Sequence, residues 1–136
     1  MCIRDSKKIE EGKFRFCGRE YEQFEDYSIK VTCKDNTEKI LPINFKKNNR
    51  RLEDKATEGE IAQMRSVVGS LAWICRQVRP EMCYHTSKMQ SVVGSAQVKH
   101  LLATNKILQH CISTSTRGIL YKSGLFKWNE LSLIHI

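Results

Sequence analysis

The side chains able to do chemistry are scattered along this chain. Cys75, Cys83 and His85 come nearest to a metal site, but seven residues separate the two cysteines. Structural zinc takes a close cysteine pair, about two to four residues apart. The spacing therefore favours buried or free thiols, and no metal or cofactor is expected in this chain. His85, His100 and His110 fall on helical patterns, where packing or surface roles outweigh catalysis. Asp26, Asp35 and Asp54 are isolated, and no Asp-Asp pair is present to share a magnesium ion. There is no glycine-rich phosphate loop, no Gly-x-Ser-x-Gly and no His-Glu-x-x-His. No catalytic residue is assigned.

The elements that must position these side chains divide into a strand-rich part and a helical part, an α+β arrangement. From Lys13 to Tyr21 residues alternate, with Phe14 and Phe16 on one side and Arg15, Cys17 and Arg19 on the other, which predicts one strand. Glu22 to Asp26 suits a turn. Ile29, Val31 and Cys33 then alternate with polar residues, completing a β-hairpin. Asp35 and Glu38 have capping-box spacing, which predicts a short helix over 36–41 before Pro42. Thr57 and Glu60 form another capping box, and Ile61, Met64, Val68, Leu71, Ala72 and Cys75 recur at helical spacing, predicting a helix over 58–77. Pro80 suits the start of a new helix, with Met82, His85, Thr86 and Met89 on its semi-apolar face, ending near Gly94. Ser95 is placed to cap a third, whose buried stripe is Val98, Leu101, Leu102, Ile107, Leu108, Cys111 and Ile112. Gly118 to Tyr121 reads as a final short strand. The expected architecture is an N-terminal hairpin plus a three-helix antiparallel cluster. Leu71, Trp73 or Ile74, Met89, Leu101 and Leu108 should lie near its centre. Ser-Val-Val-Gly-Ser occurs at 66–70 and 91–95, but the flanks differ, so no repeat architecture is read from it.

Charge points to a polyanionic partner. The 136 residues carry 23 Lys and Arg against 15 Asp and Glu, a net +8. Such a balance bears on association and not on fold. No apolar run approaches the roughly 20 residues of a membrane span, so no membrane partner is expected. Between residues 7 and 130 the five scattered cysteines, Cys17, Cys33, Cys75, Cys83 and Cys111, are odd in number, do not form a disulfide framework and fit a reducing, intracellular setting, cytoplasm or nucleus. Residues 45–56 are a basic linker, with Lys46, Lys47, Arg50 and Arg51 around Asn48 and Asn49. It reads either as a solvated connection or as a localisation or nucleic-acid patch.

The run from Met64 to Met82, with Arg65, Gly69-Ser-Leu71, an apolar helix and Arg79-Pro-Glu-Met82, resembles the copia-type reverse transcriptases of LTR retrotransposons. His100, the run from Lys106 to Cys111, Ser113-Thr114 and Gly118-Ile-Leu-Tyr121 follow in the family's order. Met64 stands where the family has tyrosine, Glu81 where it has aspartate, and no proline precedes His100. Phe14 to Tyr21 looks like the family's hairpin segment. The resemblance implies a segment of a Pol polyprotein, running from a primer-holding hairpin through thumb or connection helices and stopping before ribonuclease H. The parent would be an RNA-directed DNA polymerase using Mg2+ or Mn2+ on a Tyr-x-Asp-Asp turn upstream. That turn is absent here, so this segment should be inactive alone. Its partners would be RNA–DNA or DNA duplex, held without sequence preference, and the rest of the polyprotein. Phe16 and Gly18 at the hairpin, and Arg76, Arg79, Lys99 and Lys106 on the helices, are the candidate contacts, with Arg65 and Lys88 as further cations. Gly18 would permit close approach of a nucleotide, or the hairpin is a plain surface one. Arg76 and Arg79 suit phosphates or a helix C-terminus equally. Two other readings stand beside this one: an independent basic nucleic-acid-binding module, and a helical protein-interaction domain with incidental charge.

Both ends, 1–6 and 131–136, resemble the translated ends of the transposon used to prepare sequencing libraries, one nucleotide string read on opposite strands. They are expected to lie outside the fold. The expected division is then 7–44 for the hairpin and short helix, 45–56 for the linker and 57–130 for the helical thumb-like region.

Overall fold

The computed structural model describes residues 12–124, so the terminal segments 1–6 and 131–136 lie outside the described residues. The fold is α+β: a four-stranded antiparallel sheet in the order β1-β2-β3-β4 with four helices. The strands are β1 (Lys13–Phe16), β2 (Arg19–Gln23), β3 (Ile29–Thr32) and β4 (Ile119–Tyr121).

The stretch expected to be one strand over 13–21 is two. Cys17 and Gly18 both take positive φ, 49° and 74°, the backbone that a two-residue hairpin turn requires. The alternating pattern did not expose this turn because Cys17 gives no turn signal. Arg19 consequently pairs with Phe16, and Tyr21 with Phe14. Directly paired residues share a face, so Arg19 lies on the side of the phenylalanines and not opposite them. The rings of Phe14 and Tyr21 stack at 4.8 Å. The turn expected over 22–26 begins later, because Glu22 and Gln23 are paired in β2, and it closes with the Phe24 N–H donating to the Ser28 carbonyl. There the Ser28 backbone N–H and hydroxyl donate to Asp26 and hold its carboxyl below the usual range.

The first helix, α1 (Lys34–Glu38), starts earlier and ends sooner than 36–41. The Asp35–Glu38 capping box does not form. Asp35 instead accepts from Arg15 and Lys39, and Glu38 accepts from the Ser115 hydroxyl. The long helix α2 (Glu58–Val78) begins at the expected Thr57–Glu60 capping box. A 3-10 turn at Pro80–Met82 leads into α3 (Cys83–Val92), and a second, Val93–Ser95, closes it. The last helix, α4 (Val98–Ser113), is preceded by Gln97 and not by Ser95, which is spent in that 3-10 turn.

The main core joins Met64, Val68, Leu71 and Cys75 of α2 to Met89 of α3 and Leu101, Leu108 and Cys111 of α4. A smaller core lies under the sheet, where Val31 and Cys33 meet Ile74 and Val78. Of the two residues proposed for the centre, Ile74 is buried, whereas Trp73 remains 38% exposed. Gly118 enters β4 where a Cβ would stand 2.0 Å from the Val31 carbonyl oxygen, so only glycine lets β4 reach β3.

Segment 43–56 is stitched to the helices on both sides. Asn105 of α4 accepts from the Ile43 N–H at 2.8 Å and donates to its carbonyl at 2.9 Å. The Asn44 N–H donates to Gln63. Leu52 and Asp54 carbonyls accept the N–H groups of Lys99 and Val98, filling the unpaired donors of the α4 N-terminus.

Candidate nucleic-acid interface

The hairpin tip is seated on α2. Gly18 lies where a Cβ would be 3.0 Å from the Trp73 ring and 2.7 Å from the Asn36 amide nitrogen, and its carbonyl accepts from that amide. The close approach that glycine permits here is thus made to Trp73 and Asn36 of the same chain. Phe16, just before the turn, is 61% exposed. Arg19 Nε is buried with no hydrogen-bond partner among the described residues, while its guanidinium stands over the Tyr21 ring at 5.7 Å, within cation–π range.

On α2, Arg65, Gly69, Trp73 and Arg76 recur at helical spacing, and each is exposed. Among the described residues nothing comes within 4 Å of where a Cβ on Gly69 would stand, so packing among them does not explain a glycine in the middle of this helix. The hairpin tip and the Arg65–Arg76 stripe therefore meet at Trp73. Lys99 and Lys106 share a stripe of α4 instead, seven residues apart. Lys106 is exposed, and Lys99 pairs with Glu53 at 2.9 Å.

Arg79 is not at this surface. Its side chain is 2% exposed, pairs with Glu81, and donates to the Thr114 carbonyl at 3.0 Å and the Thr114 hydroxyl at 2.9 Å. Of the two roles open to it, the geometry is that of a helix-end cation, but at the C-terminus of α4 and not of its own helix. No phosphate reaches a guanidinium so enclosed.

The remaining chemistry-bearing residues have structural surroundings. Cys75 Sγ lies 3.4 Å from Thr86 Oγ1. Burial raises the thiol pKa of Cys75, and pushes those of Cys33 and Cys111 up to about 11, far from a reactive thiolate. Cys83 is half-buried and His85 exposed. Among the described residues no group of three His, Cys, Asp or Glu is arranged to hold a metal ion, and no helix is long and apolar enough to cross a membrane.

His100 Nδ1 accepts the backbone N–H of Gln97 at 3.1 Å. Burial lowers its pKa below the ordinary 6.5, and Lys99 adds to this. The folded protein therefore favours neutral imidazole, and the unfolded chain binds more protons as pH falls below 6.5. His100 stabilises the fold fully above that pH and loses its contribution on acidification. Between about pH 6.5 and pH 5, above the carboxylate range, denaturant midpoints should fall more steeply for the natural protein than for His100→Gln. Parallel curves would remove His100 from this role.

Trp73 and Gly69 were missed as surface residues by sequence reasoning, and Arg19 was placed on the wrong face of its strand. A glycine inside a strong helical pattern was the available signal for the first two. Compared with protein-family models, curated proteins and solved structures, the chain finds no match.

Proposed function

We propose that this chain is a segment of a copia-type reverse transcriptase that holds template and primer and leaves catalysis to residues outside it. The observation that carries the reading is the stripe Arg65–Gly69–Trp73–Arg76 with the hairpin tip seated beside it. A glycine with open space above it lets a partner's backbone come close to the helix. The flanking guanidiniums suit phosphates, and Trp73 offers an aromatic surface between them. Phe16 at the tip and Lys106 on α4 remain secondary contacts, Gly18 is left out because Trp73 and Asn36 already fill its open side, and Lys99 acts only by giving up Glu53. Arg79 is left out because it is enclosed.

The resembling segments also support one another. Arg79 of the Arg-Pro piece is bonded to Thr114 of the Ser-Thr piece, 35 residues away. Gly118 of the last piece fits against β3. These residues answer packing demands, as expected of a holding segment. Magnesium or manganese would be held by the parent's upstream carboxylates and would position the in-line attack there.

A labelled RNA–DNA hybrid titrated at several salt concentrations tests the reading. Binding should be weak, indifferent to sequence and steeply salt-dependent. Arg65→Gln with Arg76→Gln should flatten the log–log slope by about 2, at about 0.9 for each phosphate no longer neutralised. Gly69→Ala should raise stability by about 0.5–1 kcal/mol and yet weaken binding. A Gly69→Ala protein that is more stable and binds undiminished, together with an unchanged slope for the arginine pair, would contradict the proposal.

A further inference from the structure

The segment joining the sheet region to α2 holds five cations, Lys46, Lys47, Arg50, Arg51 and Lys55, against two carboxylates, Glu53 and Asp54. We infer that this segment is a second, preformed binding surface for a phosphodiester backbone, separate from the α2 face and independent of the reading above.

Three observations carry it. First, the loop is built. Arg50 donates to both Glu60 oxygens, at 2.6 and 3.1 Å, and to the Lys55 carbonyl at 2.8 Å. Two successive turns close within it, Arg50 N–H to the Lys47 carbonyl and Asp54 N–H to the Arg51 carbonyl. Its far end is fastened to the start of α4 by Ala56, Asp54 and Leu52. A surface whose backbone is already fixed loses little entropy when it binds.

Second, the charges are sorted. Glu60 neutralises Arg50, and that guanidinium holds its carboxyl below the usual range. Glu53 is taken by Lys99, and Asp54 accepts the Arg51 backbone N–H at 2.7 Å. Among the described residues, Lys46, Lys47, Arg51 and Lys55 have no carboxylate within ion-pair distance, and all four are exposed.

Third, the first turn of α4, to which the loop is fastened, carries no acidic residue of its own. Four like charges held on one short rigid loop repel one another. An anionic chain with regularly spaced phosphates relieves that repulsion and releases condensed counterions.

The probe is a short labelled single-stranded RNA, and a duplex of the same sequence, titrated against the full chain at several salt concentrations. The loop variant combines Lys46→Gln, Lys47→Gln, Arg51→Gln and Lys55→Gln. A charge-matched control combines Lys30→Gln, Lys34→Gln, Arg117→Gln and Lys122→Gln, and Arg65→Gln with Arg76→Gln reports the α2 face. The loop variant should lose about 3–4 in slope on the duplex, at about 0.9 per phosphate, and about 3 on the single strand, at about 0.7 per phosphate, in both cases well beyond the control. The half-variants Lys46/Lys47 and Arg51/Lys55, checked for an unchanged thermal midpoint, should each lose about half, which separates weakened binding from a damaged fold. Equal losses in loop variant and control, or no loss at all, would overturn the inference. Loss with the loop variant but not with the α2 pair would keep this inference and sink the α2 reading. The reverse would do the opposite.

Discussion

Arg79→Ala should lower the unfolding free energy by about 3 kcal/mol, read as a shift in urea midpoint at constant slope. The side chain is almost wholly enclosed, and one guanidinium serves three acceptors: Glu81, the Thr114 carbonyl and the Thr114 hydroxyl. Hydrogen bonds from a charged group contribute about 1.5–3 kcal/mol, and losing a partner leaves the Thr114 carbonyl without its donor. The removed side chain also leaves space between the end of α2 and the end of α4, which adds to the cost. Arg79→Lys should recover part of the loss and not all of it, because an ammonium cannot reproduce the planar fork. If Arg79→Ala moves the midpoint by less than about 0.5 kcal/mol, the size of an ordinary surface change, the residue does not tie the two helices together.

Leu101→Ala should cost about 2–5 kcal/mol, and Leu108→Ala a similar amount. Leu101 is 0% exposed and Leu108 1%, and both pack into the cluster shared by α2, α3 and α4. Seven residues apart, they lie on one side of α4. Leu102→Ala is the internal comparison, since Leu102 is only half-buried, and it should cost clearly less. A Leu102 effect equal to that of Leu101 would mean that α4 is rotated about its axis.

Helical periodicity carried most of the architecture. The α2 boundaries, the Val98, Leu101, Leu108 and Cys111 part of the α4 stripe and the β4 strand were legible, because long amphipathic patterns and a capping box leave few alternatives, whereas Leu102, Ile107 and Ile112 of that stripe are only half-buried. The two-residue turn at Cys17–Gly18 was not, since a hairpin this tight interrupts alternation only at its tip. Burial of Arg79 was also out of reach. An arginine before proline reads as a helix-end surface charge, and its partner Thr114 is distant in sequence. The start of α4 shows the same limit: its donors are met by backbone carbonyls of Leu52 and Asp54, which carry no sequence signal. Trp73 was expected near the centre as an alternative to Ile74, and only the seating of the hairpin on α2 separates the two.

For the candidate site, the cations of α2 and the hairpin glycine were legible as residues, but their meeting at Trp73 is a tertiary fact. The linker could be read as basic, whereas its rigidity rests on Glu60, Asn105 and the α4 N-terminus, partners that composition does not encode.

Sequencing the full-length transcript that contains this chain tests the central claim most directly. The account predicts one continuous reading frame through Phe14, with a Tyr-x-Asp-Asp turn upstream within about one small subdomain's length, on the order of 100 residues. A native start codon immediately before Lys7, with no paired aspartates upstream in frame, would contradict it.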